Sequence, residues 1–426
     1  MKRVFTNVGL LLAACLLAFG CGELAVRLLF KDDTVLFSRY QTDYTYGKYR
    51  LRGIRSNLEF WHTSVDGSWK FTTNARGFRN TRDFSYDKKT GTTRVLSLGD
   101  SNTQGYEVGQ EQTFSAVLER ALVGSGRTAE VINTGVSGFG TAEQLALLEN
   151  EGVRYRPDAV VVGFFANDFD DNLKSGLFGV DGDGHVVERK FEHLPGVKIQ
   201  NAIYAIPGVR WLGDNSYFYS MLFNNAWIFA KLQLGRFAAK EASGKPGSEP
   251  TEAGGFEYTI PQRVNRYQTD LALGLLERMQ QFCVHNGIRL IVVDIPAFPA
   301  PYRFVPSLTD PMLERLHASG VEVVTSRSLL SAYEGVAEMH VLHGYHHISA
   351  FTHTLIGVEV ARRLEAGRTP KATGLMQPPD RPPHDASACG FQEACSAPPA
   401  LERVNAGNRE MSASDTPSGT MWRTLA

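Results

Sequence analysis

The chain has 426 residues, of which 43% are hydrophobic, and its formal net charge is −1. This length and this apolar fraction are sufficient for one large α/β domain with additions. The near-neutral charge excludes a general electrostatic attraction to nucleic acid, so we expect no nucleic-acid partner. Because no cofactor-binding motif occurs in the sequence, we also expect no cofactor.

Residues 1–30 predict an export segment. Lys2 and Arg3 precede an almost unbroken apolar run over residues 8–22, which is the arrangement of a secretory signal. Three fates are open for this segment: cleavage, retention as a single membrane anchor up to Phe30, or lipid attachment at Cys15 or Cys21.

Retention of the segment is the favoured alternative. The apolar run up to residue 30 approaches the length of a membrane span, although Glu23 and Arg27 weaken its far end. This interpretation predicts an exported protein anchored in a bacterial inner membrane, with the rest of the chain on the periplasmic side. A lipoprotein remains the alternative.

Residues 31–90 predict a small β-rich elaboration, because Tyr, Arg, Thr and Trp are frequent there and residues 69–73 alternate in polarity. The following segment, from Arg94 to Gly105, predicts a buried strand that ends at Gly99 and presents Ser101. A hydroxyl at the carboxyl end of a parallel strand lies in the crevice where open α/β sheets bind ligands. Gly-Asp-Ser is also an ordinary turn tripeptide, so Ser101 alone does not establish a nucleophile.

Two further strand ends carry groups of interest. Residues 131–141 predict a short strand, a glycine-rich turn and a helix, and the Gly138 N–H can point into the crevice from this turn. The continuously apolar run 159–169 predicts a central strand of a parallel sheet that ends in Asn167. A carboxamide at that position can stabilise an oxyanion, whereas an isolated Asn-Asp pair after a strand is more often turn chemistry.

The remaining elements complete the predicted fold. Residues 173–262 predict an inserted lid, whose aromatic residues, among them Trp211, Tyr217, Phe218 and Trp227, more commonly pack on a core than bind a ligand. A long helix up to Asn286, a strand over 288–293 and a short strand near 321–324 follow. Together these elements predict about five parallel strands with helices on both faces, a doubly wound three-layer α/β fold. Residues 367–426, rich in Pro, Ser, Ala and Arg, predict a disordered tail.

Histidine is concentrated late in the chain, ahead of a helical pattern. Imidazole is a common zinc ligand, so a metal site is one interpretation of this cluster, although no glutamate completes a paired-histidine helix motif. The histidines are His340, His343, His346, His347 and His353.

Ser, Gly, Asn and His in this order, each at the end of a strand or in a strand-to-helix turn, resemble the SGNH or GDSL family of serine hydrolases. The resemblance covers roughly residues 92–172 and 264–365 and implies a flavodoxin-like hydrolase domain over 91–366. It implies that Ser101 is the nucleophile, that its N–H forms the oxyanion hole with Gly138 and Asn167, and that His347 is the base.

The family's spacing favours His347 over the adjacent His346. Members carry a small polar residue two positions after the catalytic histidine and often a Gly-His pair further on, and Ser349 and His353 fit that frame from His347. The sequence departs from the family in its acid: an Asp usually stands two or three residues before the histidine, and none does here. We expect a backbone carbonyl, or a distant carboxylate such as Glu338, to hold the Nδ1 proton instead.

The resemblance implies a serine esterase that acts on O-acyl groups, with O-acetyl favoured, of an envelope carbohydrate or lipid. An O-acyltransferase would use the same residues. The missing Asp motivates a third alternative, a glycan-binding or assembly protein with weak turnover. The segment Asn74–Arg79 resembles one that often precedes the Gly-Asp-Ser block in exported members, and its sequence does not reveal its role.

Overall fold

The computed structural model describes residues 2–31, 34–37, 40–223, 225–226, 259–343 and 345–366. The predicted tail over 367–426 and the lid residue Trp227 lie outside the described residues. The boundaries of the hydrolase-like domain and of the lid stay predictions.

The first ninety residues contain one long helix and five short strands, whereas the β-rich elaboration over residues 31–90 as a separate unit stays a prediction. Strands β2 and β3 form one antiparallel hairpin and β4 and β5 form another, and β1 extends the second hairpin by pairing with β4. The elements are α1 (Lys2–Leu29), β1 (Leu36–Phe37), β2 (Gln41–Tyr46), β3 (Tyr49–Ile54), β4 (Glu59–Ser64) and β5 (Gly67–Thr72).

Eight further strands follow, and five of them form the predicted parallel sheet. The strands are β6 (Thr93–Leu98), β7 (Ala129–Asn133), β8 (Ala159–Phe164), β9 (Phe178–Val180), β10 (Val186–Glu188), β11 (Glu192–His193), β12 (Arg289–Asp294) and β13 (Glu322–Val324). The sheet has the order β13-β12-β8-β6-β7, with every neighbouring pair parallel. In order of appearance this is 2-1-3-4-5, the flavodoxin-like arrangement, whose ligand crevice lies where the connections change direction, between β6 and β8.

Helices cover both faces of this sheet, which confirms the doubly wound three-layer fold. The helices after α1 are α2 (Ser101–Gln104), α3 (Phe114–Gly124), α4 (Thr141–Asn150), α5 (Asp168–Ser175), α6 (Val197–Tyr204), α7 (Val209–Asn215), α8 (Arg266–His285), α9 (Asp310–Ala318), α10 (Ser326–Leu330) and α11 (Ala350–Ala366). Helices α3 and α11 pack on one face, and α4, α8 and α9 pack on the other. Because β6 and β8 are covered on both faces, all their residues are buried. The sequence of β8 is a continuous apolar run, whereas β6 also buries Thr93, Arg94 and Ser97.

Helix α1 is long and apolar enough to cross a membrane. The most apolar 18-residue stretch within Arg3–Leu29 has a mean hydropathy of 2.1 and no buried residue, a description that a signal sequence also fits. Its last turns contact the insertion. The Glu23 carboxylate accepts hydrogen bonds from the Ser216 hydroxyl at 2.7 Å and from the N–H groups of Tyr217 and Phe218 at 3.1 and 2.9 Å.

The insertion is tied to the N-terminal strands as well as to the sheet. Strand β11 pairs in parallel with β3, while β9 and β10 form a hairpin. The Tyr217 ring is buried against Val26 and Leu36, as expected for a packing role, whereas the Trp211 side chain is 65% exposed.

Candidate active site

The turn after β6 places Ser101 at the sheet edge. Gly99 has a φ of +155°, and a Cβ there would lie 2.0 Å from the Thr103 hydroxyl, so only glycine fits this sharp change of direction. The Asp100 side chain accepts the Asn102 N–H at 2.8 Å and thereby caps α2. Ser101 is consequently the first residue of a helix at the carboxyl end of a parallel strand.

The structure brings His347 to Ser101. The Nε2 atom of His347 lies 2.8 Å from the Ser101 Oγ, and the imidazole is only 12% exposed. The next residue, Ile348, donates its N–H to the Asn102 side chain at 3.2 Å, which fixes the histidine segment against α2. This is the contact through which a histidine removes a proton from a serine.

Glu107 occupies the position of the third group, which the sequence analysis did not identify. Its Oε2 lies 3.0 Å from the His347 Nδ1, and its Oε1 accepts the Tyr345 N–H at 2.9 Å. The Glu107 side chain is fully buried. A carboxylate so placed fixes the tautomer of His347 and stabilises its imidazolium form.

Of the two expected substitutes for the missing Asp, a carboxylate from elsewhere in the chain is present, because Glu107 lies at the His347 Nδ1, but the carboxylate named as an example, Glu338, is not the one. The Glu338 side chain is exposed, and the structure uses only its backbone carbonyl, which accepts the Ser349 hydroxyl at 2.6 Å. No backbone carbonyl is needed at the His347 Nδ1 either, because Glu107 is the hydrogen-bond partner.

Electrostatics keep Glu107 ionised. Burial disfavours its charged form, yet the hydrogen bond from His347, the charges of His347 and His62 and the Tyr345 N–H together outweigh burial and lower its pKa. Burial raises the pKa of the neighbouring Asp100 to about 6 despite the charge of His347. Glu107 is therefore the stronger acid of the two carboxyl groups beside the histidine.

Gly138 lies in the turn after β7, next to the Ser101 turn. Its φ is +75°, and a Cβ would lie 2.2 Å from the Arg52 guanidinium, so glycine is required there. The two turns are joined by hydrogen bonds from the Val136 N–H to the Gly99 carbonyl at 3.0 Å and from the Ser137 N–H to the Gln104 side chain at 3.1 Å.

Asn167 precedes helix α5 at the end of β8. Its side chain makes no capping hydrogen bond, and its Oδ1 is buried without a hydrogen-bond partner among the described residues. The turn interpretation for Asn167 therefore lacks the side-chain hydrogen bond that would support it. The neighbouring Asp168 accepts the Thr141 hydroxyl at 2.9 Å, which links the start of α5 to the start of α4 beyond Gly138.

The three groups expected to form an oxyanion hole share one property. Within the part of the chain that the structure describes, the backbone N–H groups of Ser101 and Gly138 and the side chain of Asn167 form no hydrogen bond. Backbone N–H groups near the interior are almost always paired. Three unused polar groups after three adjacent strands are what stabilisation of a developing negative charge requires.

The five late histidines do not form a common metal site. His346 stacks on the Phe298 ring, with the two ring centres 4.2 Å apart. The others bind separately: His340 to the Pro296 carbonyl, His343 to Asp66, and His353 to the Phe114 N–H. Among the described residues, the three groups close enough to share an ion are the exposed side chains of Asp181, Asp183 and His185.

Residues 97–224 match the model of the GDSL-like lipase/acylhydrolase family. This part of the chain belongs to that family. An arylesterase from Vibrio mimicus is 36% identical over 75 residues, which is 18% of this chain and 38% of that protein. The chain thus spans little more than a third of the length of this relative.

Two solved structures are similar at low identity. A lipase/acylhydrolase from Enterococcus faecalis shares 16% identity over 66% of this chain and 98% of its own, with a TM-score of 0.37. A variant of an acetyl-xylooligosaccharide esterase from Geobacillus Stearmophilus shares 13% identity over 66% and 98% of the chains, with a TM-score of 0.34. Because both TM-scores are below 0.5, the three-layer α/β fold of this chain rests on its own sheet topology.

Proposed function

We propose that this GDSL protein is a serine esterase in which Ser101 is the nucleophile, His347 the base and Glu107 the acid. The observation that carries the proposal is the unbroken chain of contacts from the Ser101 Oγ to the His347 Nε2 and from its Nδ1 to Glu107, at 2.8 and 3.0 Å. With Glu107 in place, the reason for considering a protein without turnover, the missing Asp, no longer applies.

The reaction follows from this arrangement. The Ser101 Oγ attacks the acyl carbon of the ester while the His347 Nε2 takes the hydroxyl proton, and the carbonyl oxygen becomes an oxyanion. The ester C–O bond then breaks, and His347 gives its proton to the departing alcohol. Water attacks the resulting acyl-serine, His347 takes a proton from that water, and the carboxylic acid leaves as the Ser101 hydroxyl is restored.

The oxyanion would be bound by the N–H groups of Ser101 and Gly138 and by the Asn167 carboxamide. This assignment is supported by their unused hydrogen-bonding capacity at the ends of β6, β7 and β8. Such a donor acts on charge that appears only in the transition state, which is why it raises turnover rather than substrate affinity.

The substrate we propose is a small O-acyl ester, with O-acetyl favoured, on an envelope carbohydrate or lipid. The arylesterase name of the relative supports ester chemistry. The unburied apolar helix α1 supports attachment to a membrane, which we propose is a bacterial inner membrane with the active site on the periplasmic side. The substrate would then be a component of the envelope.

A fluorophosphonate probe tests the proposal, because only an activated serine reacts with it readily. We expect labelling of Ser101, no labelling of Ser101→Ala and strongly reduced labelling of His347→Ala. Labelling that persists in Ser101→Ala at the wild-type rate would refute the assignment. In the protein not exposed to the probe, release of free acetate from an acetylated glycan identifies a hydrolase, and transfer of the acetyl group to an added sugar identifies the acyltransferase alternative.

A further inference from the structure

Arg79 is a buried arginine whose surroundings are unusual. It has no exposed surface, and among the described residues no carboxylate lies within ion-pair distance of it. Burial lowers the pKa of Arg79 to about 9. Burying a cation without a counter-ion costs free energy, so the groups that Arg79 binds indicate its role.

The guanidinium binds backbone carbonyls that surround Glu107 in sequence. Its Nη1 donates to the carbonyls of Gln104, at 3.1 Å, and of Gly105, and its Nη2 donates to that of Val108 at 2.8 Å. Carbonyl dipoles that converge on one point repel each other, and a planar cation with several N–H donors compensates for this repulsion. The other face of the guanidinium lies 3.7 Å from the centre of the Phe71 ring, a cation–π contact that offsets part of the desolvation.

The turn held in this way has an uncommon backbone shape. Glu107 has a φ of +61°, in the left-handed region that side chains other than glycine rarely adopt, and Gly105 has a φ of +86°. A Cβ on Gly105 would lie 2.8 Å from the Arg79 Nη1, so the glycine also makes room for the guanidinium. A non-glycine residue rarely adopts this conformation, which persists only where surrounding contacts impose it.

This arginine is the last residue of the segment Asn74–Arg79, whose role the sequence did not reveal. The Asn74 side chain accepts the N–H groups of Arg76 and Phe78 at 3.0 and 3.1 Å and closes a turn. Gly77 has a φ of +72° and leaves no room for a Cβ, which would lie 2.1 Å from a backbone carbonyl. Phe78 is buried in the core, and the chain then directs Arg79 to the Glu107 turn.

We propose that Arg79 is a positioning residue: its guanidinium holds the turn 104–108 in the shape that places the Glu107 carboxylate against His347. This role rests on the proposed function, since it matters to the reaction only if Glu107 serves as the acid. It assigns the conspicuous Asn74–Arg79 segment to the active site, although no residue of that segment touches Ser101 or His347.

The test compares Arg79→Lys with Arg76→Lys, a matched change at an exposed arginine of the same segment. Lysine keeps the charge but cannot bind three carbonyls from one planar fork. We expect Arg79→Lys to lower kcat for p-nitrophenyl acetate by roughly 10²-fold with KM nearly unchanged, because the loss concerns the transition state. Arg76→Lys should leave both constants near those of the wild type.

A double variant shows whether Arg79 acts through Glu107. Arg79→Lys combined with Glu107→Gln should be no slower than Glu107→Gln alone, because residues that act as one unit are not additive. Losses that multiply, or a folded Arg79→Lys with wild-type kcat, would overturn the proposal. If Arg79→Lys fails to fold, Phe71→Leu takes its place: it keeps Arg79 but removes the ring beneath the guanidinium, together with that ring's contacts to Phe60, His62 and Tyr106, and we expect a smaller loss of kcat.

A second measurement does not depend on turnover. The proton between the His347 Nδ1 and Glu107 should give a downfield NMR resonance in the full-length wild type and in Arg76→Lys, and the resonance should disappear or shift in Arg79→Lys. Its persistence unchanged in Arg79→Lys would refute the positioning role. If the wild type shows no ester turnover, the proposed function fails, and this resonance alone decides the role of Arg79.

Discussion

Asn167 stands where a side chain normally caps a helix, yet it makes no capping hydrogen bond. Asn172, one helix turn further on, differs in this respect, because its Oδ1 accepts the Ala142 N–H at 2.8 Å in a buried contact. Both residues are asparagines, one immediately before α5 and one within it, so variants at the two positions distinguish a chemical role from a structural one.

We expect Asn167→Ala to lower kcat by roughly 10²–10³-fold with little change in melting temperature, because an oxyanion donor acts on the transition state. Asn172→Ala should do the reverse: a lower melting temperature and near-normal kcat of the folded protein. Steady-state kinetics and thermal unfolding of both variants check this. A lowered melting temperature with intact kcat in Asn167→Ala would remove Asn167 from the site.

The adjacent His346 and His347 differ in their contacts in a way that activity measurements can detect. His347 contacts Ser101 and Glu107, whereas His346 has a φ of +55° and lies on the Phe298 ring. We expect His347→Ala to abolish ester turnover and His346→Ala to retain most of it. Equal losses in two folded variants would contradict the assignment of the base.

At the scale of the elements, helices α3 and α11 meet through a buried histidine. The His353 Nδ1 accepts the N–H of Phe114, the first residue of α3, at 3.1 Å. Burial lowers the pKa of His353 to about 3, from an ordinary value of 6.5. Below pH 6.5 the unfolded chain binds a proton that the folded chain does not, so the folded state loses stability as pH falls towards 3.

We therefore expect the melting temperature to fall as the pH is lowered from 7 to 5. The fall should be less steep in His353→Gln, whose side-chain oxygen can still accept the Phe114 N–H. The exposed His317→Gln should retain the wild-type slope. The buried His62 and His340, whose pKa values burial lowers to about 3 and about 4, preserve part of the slope in every variant. A His353→Gln slope identical to that of the wild type would contradict this account.

The sequence predicted the parallel sheet well and the active site incompletely, for physical reasons. Strand β8 is an apolar run, and glycine-containing turns follow β6 and β7, so these strands are visible locally. The candidate residues Ser101, Gly138 and Asn167 were proposed from the turns that follow the three strands. Glu107 was missed because its role depends on a left-handed backbone and on a contact with His347, 240 positions away. The available signal was a lone carboxylate in the Gly105–Gly109 turn, between apolar neighbours.

At the scale of the whole molecule, the two charged residues that weaken the far end of α1 as a membrane span, Glu23 and Arg27, form polar contacts within the protein. Glu23 forms an ion pair with Arg27 at 2.7 Å and accepts the N–H groups of Tyr217 and Phe218. Arg27 in turn donates to the Asn215 carbonyl at 2.9 Å. The end of α1 is thus attached to the insertion by polar contacts, which supports the proposal that the helix is retained.

We expect Glu23→Ala in the full chain to reduce the amide-exchange protection of Tyr217 and Phe218, because their N–H groups lose their acceptor. Glu59→Ala, which removes an exposed carboxylate paired with Lys70, is the control and should leave these amides unchanged. Hydrogen–deuterium exchange read by mass spectrometry measures both. Unchanged protection in Glu23→Ala would show that this attachment does not form.

The central claim is that Glu107, rather than an Asp before the histidine, completes the group that activates Ser101. Its most direct test is kcat for p-nitrophenyl acetate in Glu107→Gln beside Glu338→Gln, the matched change at an exposed carboxylate. Glutamine keeps the shape of the side chain but favours the wrong tautomer of His347, so we predict a loss of about 10⁴-fold in Glu107→Gln and none in Glu338→Gln. A folded Glu107→Gln with near-wild-type kcat would contradict the account.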